Sequence, residues 1–368
     1  MINMEITSAQ YYVYIYMMVV TIFSFRYLNR YWHRIGGELI AARTSDSANG
    51  WLTAIFFILF IGTRPINGDV FNDMPQYLGI YETFSGSFEF TWDTNNFIYD
   101  NLMLFLASMR FAPEMFYILI AAIYFGGTFY AMKKIFPRDY LVAYIVWAGA
   151  FSTFAYGTNG IKAGIATVPF LLAIAFRHKW IVWIPMLIIS LGIHHSMQLP
   201  IAAYLITRFY RDPKYFLIFW AICVLLAAAH VSYFQTLFAG MTDDHGAKYL
   251  VKGGLSAEYY SGFRIDFVLY SAMPVLMSWY CTNKQKIQSP LYDTLTCIYL
   301  LVNGVWMLCM YASYTNRIAY LSWFMYPIVL CYPVLSEDWK GSRYQFFAKI
   351  ATFHILFSLV MLILGKLH

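Results

Sequence analysis

Three basic residues stand at the ends of long apolar stretches of this sequence. Arg64 follows one stretch, Lys162 lies just inside the start of a second, and Arg317 comes before a third. A cation at membrane depth is costly, so it usually faces the protein interior and pairs with an anion. A phosphate esterified to a lipid reaches this depth and pairs well with Arg and Lys. We therefore predict that Arg64, Lys162 and Arg317 bind a lipid-linked phosphate.

Two histidines and two aspartates could exchange a proton beside that phosphate. His194 and His195 form a turn between two short apolar stretches, and Asp69 and Asp73 lie in a polar stretch. A neutral imidazole or an ionised carboxylate can accept a proton from a reacting hydroxyl group. The histidines could instead hydrogen-bond to a helix end, and Asp73 could cap a helix that begins near Pro75.

Two tyrosines follow Asp73 with the spacing of a helix face. Tyr77 and Tyr81 share one side of a helix that starts after Pro75, because residues four apart are neighbours on a helix surface. Aromatic faces stack on sugar rings, and carboxylates accept hydrogen bonds from sugar hydroxyl groups. This pattern predicts that Asp69, Tyr77 and Tyr81 contact a sugar. The alternative is that the tyrosines pack at a membrane interface, where Tyr and Trp are common.

Membrane helices are the elements that must position these residues. Of the 368 residues, 60% are apolar and 12% are charged, and the mean hydropathy is +0.55. A soluble domain carries about 25% charged residues. The sequence therefore predicts an all-α, polytopic integral membrane protein with one transmembrane domain over residues 1–368 and about twelve spans. The predicted spans are 9–27, 50–63, 113–132, 140–157, 161–177, 180–193, 196–208, 215–234, 265–281, 290–311, 318–335 and 346–365.

The distribution of basic residues predicts the orientation. Most of the 25 Lys and Arg residues fall between spans on one face, which the positive-inside rule makes cytoplasmic. Residues 64–112 and 235–264 then form two outer loops, and both termini lie outside. The first loop contains the apolar stretch 97–111, whose charges Asp100 and Arg110 indicate an amphipathic or re-entrant helix. The candidate residues gather on this side, so we expect a cavity that faces outward.

Composition and motifs argue against several other functions. The formal charge of +6 is spread as the positive-inside rule requires, so it does not indicate a nucleic-acid partner. The five cysteines lie in or beside apolar stretches without CxxC spacing, which indicates core residues and no metal site. The run Asp243-Asp244-His245 is typical of a solvated loop. The sequence has no GxGxxG or DxD motif, so we expect no cofactor and no nucleotide-sugar donor.

The order of these motifs resembles that of the EpsG/Wzy-type polysaccharide polymerases of bacterial exopolysaccharide and O-antigen pathways. That family has an Arg closing the second helix, a Gly–Asp element with spaced tyrosines, an Arg–Gln element, a His–Lys–Ser element and a late Arg that opens a helix. The corresponding residues, over about 50–335, are Arg64, Gly68, Asp73, Tyr77, Tyr81, Asn159-Gly-Ile-Lys162-Ala, Ile193-His194-His195-Ser196 and Arg317. Lys162 and Ala163 stand where the family has Arg and Gln, and Asp69 is an alternative to Asp73 as the acid.

The resemblance implies an enzyme that joins oligosaccharide repeat units carried on undecaprenyl diphosphate, at the outer face of the bacterial inner membrane. Both donor and acceptor are lipid-linked, and a further protein partner could set chain length. Arg64, Lys162 and Arg317 would stabilise the departing diphosphate, while His194 or Asp73 would accept the acceptor's proton.

Three alternatives stay open from the sequence. A flippase for the same lipid-linked unit should show internal repeats and polar residues across the bilayer. An O-antigen ligase uses the same donor chemistry, and the sequence separates it poorly from a polymerase. A membrane O-acyltransferase usually opens with an Arg–Asp–Gly–Leu–Arg element, which this sequence lacks.

Overall fold

All the regular structure described for this chain is helical. A computed structural model describes residues 9–33, 44–231, 233–234, 262–312 and 315–364. Within these ranges there are helices and connecting turns but no β-strand, which confirms the predicted all-α class. The predicted outer loop 235–264 and the run Asp243-Asp244-His245 lie almost wholly outside the described residues.

The chain divides into two compact units, one formed by Met1–His194 with Ser342–His368 and the other by His195–Gly341. The single transmembrane domain predicted for residues 1–368 stays a prediction. The α-helices of the first unit are α1 Tyr12–Trp32, α2 Thr44–Gly62, α3 Met74–Thr83, α4 Phe97–Ser108, α5 Pro113–Ala121, α6 Gly127–Ile135, α7 Tyr140–Ala148, α8 Phe151–Thr158, α9 Ile161–Ala175, α10 Trp180–Ile193 and α17 Arg343–Ile363. Those of the second unit are α11 Gln198–Phe209, α12 Pro213–Ala228, α13 Ile265–Tyr280, α14 Pro290–Leu308, α15 Asn316–Trp323 and α16 Tyr326–Ser336.

Short turns of other helix types complete these elements. The π-helical segment Ala122–Gly126 joins α5 to α6, and a second one, Cys281–Gln285, follows α13.

Local sequence explains where some helices begin. Proline opens α12 and α14, where its missing N–H group costs nothing. The preceding Asp212 and Ser289 each accept a backbone N–H hydrogen bond and so cap these helices.

Few segments are both long enough and apolar enough to cross a bilayer. Among the described residues, four segments have the necessary length and apolar composition: Pro113–Ile135, Pro290–Leu308, Asn316–Ser336 and Arg343–Ile363. A fifth is obtained if the bent pair α7 and α8 counts as one span. Other apolar helices are shorter, such as α10 with 14 residues, whereas a straight span needs about 20. The prediction of about twelve spans is therefore not confirmed.

The stretch 140–157, predicted as one continuous span, is broken. Helix α7 ends at Ala148, α8 begins at Phe151, and the two axes are bent by 73°. Ala150 adopts an extended conformation, with φ −73° and ψ 133°. A Cβ atom on Gly149 would lie 2.1 Å from Cδ1 of Ile355, so α17 approaches the break closely. A larger residue at this position would require the Ile355 side chain to shift, and apolar composition does not reveal this contact.

Packing within the first unit brings the ends of several helices into the same region. Helix α10 packs along both α9 and α4, and α9 also packs on α8. Helix α2 packs on α5 and on the π-helical segment that follows it. The predicted amphipathic stretch 97–111 is found as α4, and the predicted helix after Pro75 is found as α3.

A buried ionic cluster ties other helices of this unit together. Arg30 of α1 contacts Asp46 of α2 at 3.4 Å and lies 4.0 Å from Asp139, which precedes α7. The Tyr31 hydroxyl donates a 2.5 Å hydrogen bond to Asp139. Burial raises the pKa of Asp139, while Tyr31 and Arg30 oppose that shift.

The second unit has a buried polar network at its core. Asn303 of α14 accepts a 2.8 Å hydrogen bond from the Trp220 indole and donates to Ser271 and Ser322 at 3.2 and 3.0 Å. The Trp323 indole also donates to Ser271, at 2.8 Å. This network joins α12, α13, α14 and α15 through one fully buried side chain.

Candidate functional site

Arg64 is buried just beyond the C-terminal end of α2. Only 5% of its surface is exposed. Its Nη1 donates to the Ile61 carbonyl oxygen and its Nη2 to that of Thr158, each at 2.8 Å. The guanidinium also lies over the rings of Phe71 and Tyr117, 5.6 and 5.3 Å from their centroids. The structure thus places this cation at the junction of two helix ends and an aromatic pair.

The Arg64 guanidinium keeps charge and hydrogen-bonding capacity for a ligand. Its Nε atom is buried and has no hydrogen-bond partner among the described residues. Burial lowers the pKa of Arg64 to about 10, so the group is still protonated at neutral pH. A buried cation with an unused donor is a suitable partner for an anion.

Lys162 lies at the start of α9 and forms an ion pair. Its Nζ is 2.8 Å from Oδ1 of Asp100, and the two side chains are only 22% and 18% exposed. The ammonium also faces the ring of Tyr99 at 4.8 Å and that of Tyr77 at 5.6 Å. An anion that approaches the Lys162 ammonium therefore also comes close to the Asp100 carboxylate, which repels it.

Tyr99 connects the two cations. Its ring faces Lys162, and its side chain is close enough to Arg64 for the two to interact electrostatically. The ring also lies 5.8 Å from that of Tyr77. The Tyr99 hydroxyl is buried and has no hydrogen-bond partner in the described part of the chain. Arg64 and Lys162 thus border one tyrosine cluster that holds an unused hydroxyl group.

His194 reaches the same region through the first turn of α4. Its Nδ1 is 3.2 Å from Oδ1 of Asn96, which directly precedes that helix. The N–H of Asp100 donates to the Asn96 carbonyl, so these two residues are one helical turn apart, about 6 Å along the axis. One end of α4 therefore holds His194 through Asn96 and Lys162 through Asp100. If Nδ1 carries the hydrogen toward Asn96, Nε2 is the nitrogen that can accept a proton.

The predicted acids and tyrosines occupy different environments. Asp69 is exposed, and its backbone N–H donates to the Asn67 side chain at 2.9 Å. Asp73 precedes α3, but its side chain makes no capping hydrogen bond there. Tyr77 faces Lys162. Tyr81 is buried, and its hydroxyl donates a 2.7 Å hydrogen bond to the Phe111 carbonyl oxygen.

Arg317 belongs to the second unit, where it is the second residue of α15 and exposed. Of the other predicted residues, His195 begins the second unit and the rest belong to the first. Within that unit, the contacts above bring Arg64, Lys162, Tyr77 and His194 together. Their roles as catalytic or binding residues stay predictions.

Three residues of this region have no role in the sequence-based prediction. They are Tyr99, Asp100 and Tyr117. Asp100 carried a usable signal, because a carboxylate within an apolar stretch requires a partner. For the remaining two no sequence signal separates them from the many other aromatic residues of the chain. Among the described residues, no group of three His, Cys, Asp or Glu side chains could hold a metal ion.

Comparison with known proteins identifies one family. The model of the EpsG family matches residues 50–366, which is most of the chain. Neither the curated proteins nor the solved structures include a match. The resemblance predicted from the motif order is therefore confirmed.

Proposed function

This chain belongs to the EpsG family, and we propose on that premise that it joins undecaprenyl-diphosphate-linked oligosaccharide repeat units into a polysaccharide. Membership of the family indicates a polysaccharide polymerase-type function, similar to that of glycosyltransferases, in a multi-pass membrane protein. The proposed location is the outer face of the bacterial inner membrane, and the product is an O-antigen or exopolysaccharide.

One observation carries this proposal. Two buried or largely buried cations, Arg64 and Lys162, border one tyrosine cluster, and the Arg64 Nε atom has no partner among the described residues. The oxygen atoms of a lipid diphosphate are strong hydrogen-bond acceptors for the N–H groups of arginine and lysine. Tyr77 and Tyr99 surround Lys162 with ring faces that also suit a sugar next to the diphosphate.

The proposed reaction is a glycosyl transfer between two lipid-linked chains. A hydroxyl group of the acceptor attacks the anomeric carbon of the donor, and the bond from that carbon to the diphosphate breaks. Arg64 and Lys162 stabilise the negative charge that develops on the leaving diphosphate. Arg317 joins them by the family motif, and Asp69, Tyr77 and Tyr81 are the proposed sugar contacts. His194 or Asp73 lies near the acceptor hydroxyl, which loses its proton.

The chemistry requires no cofactor, because the donor already carries its leaving group. Donor and acceptor are the proposed ligands, together with membrane lipid. A protein that sets chain length is a further proposed partner.

Gel analysis of surface polysaccharide in a strain that lacks the gene tests this proposal. We expect the deletion to remove every band above one repeat unit, since polymerisation alone is lost. Loss of even the single exported unit would indicate a flippase. Full-length polymer that stays on its lipid carrier would indicate a ligase.

Complementation with variants then tests the site. Arg64→Ala and Lys162→Ala should each shorten or remove the ladder of polymer bands, compared at equal amounts of protein in the membrane. Arg26→Ala removes an exposed arginine of α1 in the same unit and should restore the full ladder. Normal polymer length from both site variants would refute the role of these cations.

A further inference from the structure

Asp100 is the carboxylate in direct contact with a cation of the candidate site. Its Oδ1 lies 2.8 Å from the Lys162 Nζ, and both side chains are about four-fifths buried. Tyr77 and Tyr99 cover other sides of the ammonium with their rings. Nothing in the proposed reaction so far gives Asp100 a role, and a residue that only neutralised Lys162 would oppose the binding of an anion.

The distance to Lys162 fixes where Asp100 lies relative to a bound phosphate. A phosphate oxygen that accepts a hydrogen bond from Nζ stays within about 3 Å of it. Such an oxygen is then at most about 6 Å from Asp100 Oδ1. The anomeric carbon is bonded to that phosphate, and the attacking hydroxyl approaches the same carbon. An acceptor hydroxyl that approaches this carbon from the side of Lys162 comes close to the Asp100 carboxylate.

We propose, on the basis of the proposed polymerase function, that Asp100 is a further catalytic residue, which accepts the proton of this hydroxyl in place of His194 or Asp73. The acceptor oxygen forms its bond to the anomeric carbon, and the bond from that carbon to the diphosphate oxygen breaks. The diphosphate keeps the electron pair, and the acceptor proton passes to the Asp100 carboxylate and later to water.

This proton transfer also changes the electrostatics of Lys162. Before the reaction, the carboxylate competes with the diphosphate for the ammonium. Once Asp100 takes up the proton it is neutral, and Lys162 interacts with the diphosphate alone. The cation is thus released to the leaving group while negative charge accumulates there, and stabilisation confined to the transition state raises kcat. His194, held one helical turn away through Asn96, is placed to orient the acceptor.

Initial rates of ladder formation test this proposal in membranes that contain the full-length protein. The substrate is the lipid-linked repeat unit extracted from the deletion strain. We expect Asp100→Asn to lower kcat about 10²- to 10⁴-fold, the usual contribution of a positioned base, without raising KM. Asp93→Asn, a matched change of an exposed aspartate in the same segment, should keep wild-type rates. An unchanged kcat in Asp100→Asn, or a change in KM alone, would overturn the proposal.

The double variant Asp100→Asn/Lys162→Gln covers the case in which the single variant does not fold. It leaves no unpaired charge in the pair, and its rate is compared with that of Lys162→Gln. A base acts on the acceptor itself, so the double variant should be at least about tenfold slower. Equal rates would mean that Asp100 acts only through Lys162, which overturns the proposal.

The two proposals fail in different ways. If the deletion strain retains a full ladder, the polymerase function is wrong and Asp100 has no such reaction to catalyse. If the ladder requires the gene and Arg64, yet Asp100→Asn reacts at the wild-type rate, only the inference about Asp100 is wrong.

Discussion

Arg64 donates a 2.8 Å hydrogen bond from Nη2 to the carbonyl oxygen of Thr158, 94 residues further along the chain. Its Nη1 donates to the Ile61 carbonyl in the last turn of α2. Carbonyl groups at the end of a helix lack partners within the helix and carry partial negative charge. Arg64 satisfies one carbonyl at the end of each of two helices, so it has a structural role besides its proposed role in binding.

We expect Arg64→Lys to lose stability as well as polymer length. Lysine keeps the positive charge but cannot bond both carbonyl groups through a planar fork. At least one carbonyl then loses its partner, which costs about 1–3 kcal/mol. Thermal unfolding in detergent measures the stability, and the polysaccharide ladder measures the activity. An Arg64→Lys protein as stable as wild type would show that the contact with Thr158 contributes little.

Gly164→Ala should disturb the same junction without changing any charge. A Cβ atom at this position would lie 2.5 Å from the Tyr156 carbonyl oxygen, so the start of α9, which carries Lys162, must move from α8. We expect a shorter ladder and a lower unfolding temperature. Gly79→Ala is the matched control, because a Cβ atom on Gly79 of α3 meets no atom within 4 Å. Equal effects of the two substitutions would contradict the close approach.

The sequence predicted the helices of this region better than their contacts. The predicted spans 161–177 and 180–193 agree with α9 and α10, because each is a continuous apolar stretch bounded by polar residues. The stretch 97–111 was also correctly predicted to be a helix, found as α4. The break at Gly149 was missed, since a bent helix pair and a straight span have the same apolar composition.

Contacts between distant residues could not be predicted from the spacing of motifs. Lys162 and Asp100 are 62 residues apart, and their pairing depends on how α4 packs in the folded unit. Lys162 was predicted to bind phosphate, but the sequence did not show that a carboxylate shares its ammonium. The spacing of Tyr81 from Tyr77 predicts a sugar contact, whereas its hydroxyl donates to a backbone carbonyl that no motif identifies.

Tyr81→Phe should separate packing from sugar binding. The hydroxyl donates to the Phe111 carbonyl oxygen, so its removal should lower stability by about 1 kcal/mol. If this hydrogen bond is the main role of the Tyr81 hydroxyl, the variant makes polymer of normal length. Tyr77→Leu removes the ring that faces Lys162, and it should shorten the ladder with a smaller effect on stability. Loss of polymer from Tyr81→Phe at unchanged stability would instead support sugar binding by Tyr81.

Asp139 should make the stability of the first unit depend on pH. Burial raises its pKa above the ordinary value of 3.8, so the fold favours the protonated form relative to the unfolded chain. The stability that this group contributes is complete below pH 3.8 and is lost as the pH rises through its pKa in the fold. Unfolding temperatures of wild type and Asp139→Asn, measured across this range, should show wild type losing stability relative to the variant. A constant difference between them would contradict the shift.

Asn303→Leu should destabilise the second unit through its buried network. Leucine has the same branching at Cγ but is larger, and it cannot accept from the Trp220 indole or donate to Ser271 and Ser322. The Trp220 indole and the two serine hydroxyls then each lose a partner, so we expect the free energy of unfolding to fall by about 1–3 kcal/mol. Thermal unfolding in detergent measures this loss. Asn283→Leu replaces an exposed asparagine of the same unit and should change the unfolding temperature much less. If both variants unfold at the wild-type temperature, the network does not hold α12, α13, α14 and α15 together, and packing of their apolar side chains must do so alone.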